Sequence, residues 1–354
     1  MTRVVVVTPI PSPYQVELFD ALYAAGTELC VVYAAESDPD RAWAARDIAH
    51  PHKFLQRGFK MCEQIVASAD LCVFSMYRHG AVRAWIDARH RRGEPWCFWG
   101  ERPGATQRGL AGRLFRRLHL RQLFRSTVPI WGIGQFAIDG YAREFGNQRL
   151  FINLPYFSDL ARFRRTQEQE HSHMTRVLFS GSLTPRKGVD LLASAFLGAA
   201  LESEDVCLDV VGTGPLESRM REILAPVMER VRFHGFRDWQ DLPSAYGLGD
   251  VLVVPSRYDG WGLVVAEGLG AGLPVVATNQ TGAALDLITD NQNGWIVEAG
   301  SGDDLSRCLQ LVVDAGEGRL ADMRRHAINS VASHQLQDGV TRFGDAVTAT
   351  LREF

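Results

Sequence analysis

The sequence predicts an α/β protein of two Rossmann-like, doubly wound domains facing across a cleft, and three observations carry that expectation. The chain has 354 residues, more than one hydrophobic core usually holds, so two domains of roughly 150 to 200 residues each are favoured. Short β-branched or apolar runs alternate with longer segments of helical period, the pattern of parallel sheets. That alternation is interrupted by the polar stretch 158–175 (SDLARFRRTQEQEHSHMT) and then resumes.

In chain order, the runs Val4–Val7, Leu29–Tyr33, Leu71–Phe74, Trp96–Trp99 and Ile130–Ile133 read as strands of a first domain, residues 1–157. Residues 158–175 read as a linker without a strand, and residues 176–334 as a second domain with strands near 177–180, 206–211, 231–234, 251–254 and 274–277. A last helix, about Gln335 to Arg352, is expected to cross back onto the first domain, making 335–354 part of it. Ligands of doubly wound sheets bind at the carboxyl ends of strands, so the loops after these runs are the places to look for chemistry.

Composition bounds the class. With 46 % hydrophobic and 22 % charged residues the chain can bury a large core, which excludes a disordered or disulfide-stapled protein. Cysteines 30, 62, 72, 97, 207 and 308 form no Cys-x-x-Cys pair and read as thiols of a reducing compartment. No apolar run reaches the roughly 18 residues of a membrane span. A cytoplasmic protein is expected, with possible peripheral attachment to the inner face of the membrane. The net charge of −3 conceals a polarised chain: through Arg165 there are 23 Lys/Arg against 15 Asp/Glu, and beyond it 15 against 26.

The most informative stretch is Pro255-Ser-Arg-Tyr-Asp-Gly-Trp-Gly-Leu-Val-Val-Ala-Glu267. A buried strand ends in a Pro-Ser turn, a glycine loop presents Asp259, and a helix begins near Trp261, so amides at a helix N-terminus face the loop and suit a phosphate. Glu267 falls among apolar residues of that helix, where an unpaired carboxylate costs several kcal/mol; sugar or ribose hydroxyls would supply donors. The plainer alternative makes Glu267 a solvated helix residue and Asp259 a turn former. This stretch resembles the donor-site motif of retaining GT-B glycosyltransferases of family 4 (glycosyl transferases group 1), in which two carboxylates stand eight positions apart. The resemblance implies that Asp259 contacts the donor sugar, Glu267 contacts the ribose, and the amides of Gly260, Trp261, Gly262 and Leu263 hold phosphate and sugar. Asp stands where the family usually has Glu at 259, one methylene shorter.

Phe179-Ser-Gly-Ser-Leu-Thr-Pro-Arg-Lys-Gly188 is a second strand-to-helix turn, and it carries Lys187, one of three lysines against 35 arginines. A compact ammonium there suits a diphosphate leaving group; the alternative is a surface residue at the start of a helix. In the resembling family this Lys binds the donor diphosphate with an Arg two positions after the strand, a place taken here by Ser182, with Arg186 nearby as a substitute. The Gly212-Thr-Gly214 turn resembles the Gly-x-Gly-Pro turn of the same family, which implies that it and Gly181 border the donor; a dinucleotide fingerprint is disfavoured because Glu217 stands where its third glycine belongs. In the resembling family the end of the strand matching Phe233-His-Gly-Phe236 binds the nucleobase, which makes Gly235 and Phe236 base-pocket candidates; Phe236 is equally readable as a core aromatic, and His234 reads as an ordinary half-exposed histidine.

The first half is less explicit. Thr8-Pro-Ile-Pro-Ser-Pro-Tyr-Gln15 either borders an acceptor through Tyr14 or only turns the chain, and Met76-Tyr-Arg-His-Gly80 adds His79 as a second acceptor candidate. The family often places a His near the reacting sugar after the strand matching Pro95–Trp99; counting from Pro95, that place is Glu101. Between Glu101 and Asp139 there is no acidic residue, whereas Arg occurs at 102, 108, 113, 116, 117, 121 and 125 and Leu at 110, 114 and 118. This is a basic amphipathic helix: either Arg113, Arg116 and Arg117 meet an anionic membrane or acceptor, or the leucines face the core. Nucleic acid is disfavoured for want of an aromatic-rich binding motif. Asp38-Pro-Asp40, formally the metal motif of GT-A enzymes, reads as a solvated loop, and no metal site is expected.

The resemblance thus implies a metal-independent, retaining glycosyltransferase with no resident cofactor. It would move a sugar from a UDP- or GDP-linked donor to a glycan or lipid-linked acceptor, in surface polysaccharide or glycolipid assembly. A catalytically silent sugar-nucleotide-binding subunit and a GT-B-fold phosphorylase or epimerase remain as alternatives.

Overall fold

A computed structural model describes residues 2–38, 47–102, 109–164 and 174–354. Asp40, Arg108 and 165–173 of the expected linker lie outside the described residues. The chain divides into two compact units, Met1–Asp159 with Gln335–Phe354, and Leu160–His334.

Among the described residues the first unit holds the strands β1 (Val4–Thr8), β2 (Leu29–Tyr33), β3 (His52–Phe54), β4 (Leu71–Phe74), β5 (Trp96–Gly100), β6 (Ile130–Gly132) and β7 (Phe151–Asn153). They form one sheet in the order β3-β2-β1-β4-β5-β6-β7, every neighbouring pair parallel. The second unit holds β8 (Thr175–Ser180), β9 (Val206–Val211), β10 (Val231–Gly235), β11 (Val251–Val254), β12 (Val275–Thr278) and β13 (Gly294–Val297), in the order β10-β9-β8-β11-β12-β13. These are Rossmann-like sheets, and each reverses its strand order once, at β1/β4 and at β8/β11. The central strands are apolar on both faces because helices cover both, as in VVVVT of β1, WCFWG of β5 and VLVV of β11, buried throughout. The strands that the apolar runs do not announce, β3, β7 and β13, are three- or four-residue edge strands; β3 and β7 bury little, whereas β13 buries Trp295 and Val297.

The last helix, Leu336–Leu351, opens with a reciprocal capping box between Gln335 and Asp338. It packs within the first unit: Trp131 Nε1 donates to Thr350 Oγ1 at 2.9 Å, and Phe343 lies edge-on to Trp131 at 5.4 Å. Gly339 is required there, since a Cβ would sit 2.6 Å from the Phe157 ring. The stretch read as a polar linker is not solvated at its start. Leu160–Phe163 forms a 3₁₀ turn whose Leu160 and Phe163 are buried in the second unit, against the helices Leu242–Tyr246 and Leu263–Gly270. All six cysteines are unpaired. No helix among the described residues is long and apolar enough to cross a membrane.

Candidate functional site

At the β8/β11 reversal, two loops of the second unit are fastened together. After β8 comes a 3₁₀ turn, Pro185–Lys187, closed by Gly188 at φ +68° before the helix Val189–Glu202. After β11 comes Pro255–Gly262, and then the helix Leu263–Gly270. A Cβ on Gly188 would lie 2.0 Å from the Pro255 carbonyl oxygen, so only glycine allows the approach. The Arg257 amide donates to the Arg186 carbonyl at 2.9 Å, Arg186 Nη1 to the Tyr258 carbonyl at 3.2 Å, and the Arg257 guanidinium makes paired 2.7 Å bonds to the Asp190 carboxylate.

This scaffold places Lys187 Nζ 2.5 Å from Asp259 Oδ2 and Arg186 Nη1 3.4 Å from Oδ1. Lys187 and Asp259 are largely buried, whereas Arg186 is half exposed. Burial alone would push the Asp259 carboxyl up; the two cations outweigh it and hold the group below its ordinary value. Three residues singled out in the sequence therefore form one ionised cluster. Lys187 is not in the first turn of the following helix; the preceding 3₁₀ turn aims it at the loop. The amides of Gly260, Trp261, Gly262 and Leu263 lie where the chain enters that helix, with Gly262 at φ +84° pressed toward Thr281, which would be 2.6 Å from a Cβ.

The glycine turns line up beside this cluster. A Cβ on Gly212 would lie 1.9 Å from the Gly181 carbonyl oxygen, and one on Gly214 would lie 2.5 Å from that of Leu183. The Gly181 amide donates to Val211 and the Gly212 amide to Gly235. Ser182 is exposed. Space is open at Gly235, where a Cβ would meet nothing within 4 Å. Phe236 is 45 % exposed, which excludes the core-aromatic alternative. His234 Nε2 sits 2.6 Å from buried Asp209.

Glu267 is 4 % exposed, so it is not a solvated helix residue. Donors are not left to a ligand alone: the Tyr246 hydroxyl donates to Glu267 Oε2, so this carboxylate has a protein donor besides any sugar or ribose hydroxyl. Tyr246 ends the short helix Leu242–Tyr246 and carried no signal in the sequence beyond standing shortly before a buried strand.

In the first unit, Glu101 follows β5 with its carbonyl accepting from the Tyr141 hydroxyl at 2.5 Å. The Tyr156 hydroxyl reaches the side chains of both Glu101 and Tyr14, and the rings of Tyr14 and Tyr156 are 4.6 Å apart; Tyr156 was not visible as a partner from the sequence. His79 caps the helix Gly80–Arg92, its Nδ1 accepting from the Ala81 amide at 3.2 Å. The basic helix Leu110–His119 departs from the core-facing reading throughout and from the membrane-facing reading at Arg116 alone. Leu110, Leu114 and Leu118 are 89 %, 60 % and 65 % exposed, so the leucines do not face the core. Arg116 is the buried face instead, at 4 % exposure and 2.8 Å from Glu144, so it is not a surface residue alongside exposed Arg113 and Arg117. Among the described residues, no group of three or more His, Cys, Asp or Glu could hold a metal ion.

The region that carries the ionised cluster and the glycine turns has a recognised relative. Residues 175–314 match the family model Glycosyl transferases group 1. A curated relative from Corynebacterium glutamicum, a GDP-mannose-dependent monoacylated alpha-(1-6)-phosphatidylinositol monomannoside mannosyltransferase, is 28 % identical over 168 residues. The match covers 45 % of this chain and 41 % of that protein, so it spans about two fifths of the relative's length. Anabaena HepE, solved in complex with UDP, superimposes with a TM-score of 0.80 at 16 % identity, covering 98 % of this chain and 100 % of that one. A glycosyltransferase from Rickettsia africae does so at 0.77 and 14 % identity, covering 100 % of each chain. The fold is that of GT-B glycosyltransferases.

Proposed function

We propose that the protein is a retaining glycosyltransferase of family 4 that moves a sugar from a nucleotide-linked donor to a glycan or lipid-linked acceptor. The observation that carries this reading is the Lys187–Asp259–Arg186 cluster at the carboxyl ends of β8 and β11, inside the segment that matches the family model. Lys187 and Arg186 neutralise the departing diphosphate, which fits a metal-independent reaction. Asp259 positions the sugar, and Gly181, Gly212 and Gly214 let the backbone approach the phosphates. Ser182 borders them, Gly235 and Phe236 receive the base, and Glu267 holds the ribose. In a front-face displacement the bond from the anomeric carbon to the phosphate oxygen breaks as the acceptor oxygen bonds to the same face. The acceptor proton passes to the leaving phosphate, so no protein nucleophile is needed. Glu101, fixed through Tyr156 to Tyr14, contacts the reacting centre or the acceptor.

A UDP- or GDP-linked donor is favoured because HepE was solved with UDP and UDP-glucose and the Corynebacterium relative is GDP-mannose-dependent. That relative's name also specifies a phosphatidylinositol mannoside, and the exposed Leu110, Leu114 and Leu118, flanked by Arg113 and Arg117, fit docking on an anionic membrane from the cytoplasmic side. A thermal-shift screen against UDP-, GDP-, ADP- and TDP-sugars tests the donor site. At least one should raise the unfolding temperature, and Lys187→Ala should remove the shift; no shift with any nucleotide would refute the assignment.

A further inference from the structure

Tyr246 lies outside every motif that points to the donor site, yet it is joined to that site on two sides. Its hydroxyl donates to Glu267 Oε2, and the Ser180 side chain lies near enough to act on it. Ser180 is the last residue of β8, immediately before Gly181. The Tyr246–Glu267 bond therefore lies beside the carboxyl end of a central strand. Both Tyr246 and Glu267 are buried.

The Tyr246 ring has little freedom. Phe163 lies edge-on to it at 5.1 Å. Next to Phe163, Arg162 stacks on Trp239 at 4.1 Å and donates to its carbonyl at 2.7 Å. Leu160 of the same turn packs against the helix bearing Glu267, 3.2 Å from where a Gly270 Cβ would be. Burial and the neighbouring Glu267 push the phenol well above its ordinary pKa, so it remains a donor at any working pH. A buried carboxylate gains no stability over an apolar side chain of the same volume, so this arrangement is better explained by what the carboxylate does than by folding.

We propose that Tyr246 is a positioning residue that fixes the plane of the Glu267 carboxylate toward the ribose hydroxyls of a nucleoside diphosphate, and so sets the preference for ribose over deoxyribose. This rests on the assignment of Glu267 to the ribose made above. A carboxylate held by a rigid donor meets a ribose hydroxyl without first losing rotational freedom, and a sugar lacking that hydroxyl forgoes the bond.

The test is calorimetric titration with UDP and GDP, each against its 2′-deoxy and 3′-deoxy counterpart, on wild type, Tyr246→Phe, Ser180→Ala and Glu267→Gln. Wild type should prefer at least one ribonucleotide by about tenfold or more, the worth of a hydrogen bond to a charged group. Tyr246→Phe should bring that ratio near one while leaving affinity for the deoxynucleotides unchanged, and raise KM more than it lowers kcat. Ser180→Ala should lower the ratio partially, and serves if the phenylalanine variant does not fold. A ratio lost in Glu267→Gln but retained in Tyr246→Phe and Ser180→Ala overturns the role of Tyr246 alone. A wild-type ratio near one, or no binding of either nucleotide, overturns the ribose assignment as well.

Discussion

Replacing Lys187 by Met should destabilise the protein although it removes a charge from a largely buried position. Lys187 Nζ and Asp259 Oδ2 are 2.5 Å apart, and at an effective dielectric of about 20 their gross attraction is about 6–7 kcal/mol. Withdrawing two charges from water costs several kcal/mol for each, so the net worth of the pair is near zero. Deleting one partner is different, because orphaning a buried charge costs about 3–5 kcal/mol. Arg186, at 3.4 Å and half exposed, replaces part of the lost partner, which reduces the expected cost to about 2–3 kcal/mol. For a unit of about 150–250 residues that is a fall in unfolding temperature of about 5–10 °C. Calorimetric unfolding of Lys187→Met, Asp259→Asn and the double variant measures it, and the double variant should recover most of the loss. A Lys187→Met protein as stable as wild type, or strictly additive losses, would refute the coupling.

The same pair makes Asp259 a competitor of the diphosphate for Lys187: Asp259→Asn should bind UDP or GDP several-fold more tightly while transferring sugar more slowly, as read by titration and product formation. Because the Asp259 carboxyl is held below its ordinary value, its stabilising contribution is present above about pH 4 and lost as the pH falls further; the stability of Asp259→Asn should therefore depend less on pH below about 4 in acid titrations. Gly212→Ala would place a Cβ 1.9 Å from the Gly181 carbonyl oxygen at φ +129°, and urea unfolding should show a loss of about 3 kcal/mol or more. Sedimentation with anionic vesicles at low salt should be lost in Arg113→Glu/Arg117→Glu with folding intact, whereas Arg116→Glu should destabilise the first unit by stranding two buried carboxylates; vesicle binding unaffected by the first pair would count against membrane docking.

The central strands were legible because a strand covered on both faces must be a continuous apolar run, as at Val251–Val254. The edge strand His52–Phe54 was not, since a strand with one neighbour and partial cover tolerates polar residues. Lys187 and Asp259 could be singled out by rarity and by loop position, but their union depends on Gly188 passing the Pro255 carbonyl, a contact between segments far apart in sequence. Local sequence showed that Glu267 sits among apolar neighbours; its partner Tyr246, twenty-one positions away, belongs to a different element. The leucine period at 110, 114 and 118 identified an amphipathic helix and left open which face is buried. Glu144, on the helix Gln135–Phe145, decided it by drawing Arg116 inward.

The most direct test of the donor-site assignment is titration of the full chain with UDP- and GDP-sugars alongside Lys187→Ala. The assignment predicts saturable binding of at least one nucleotide sugar by wild type and a loss of about tenfold or more in affinity in the variant, as expected for removing a charge-assisted contact to the diphosphate. Equal affinity in the two proteins, or no binding by the wild type, would contradict it.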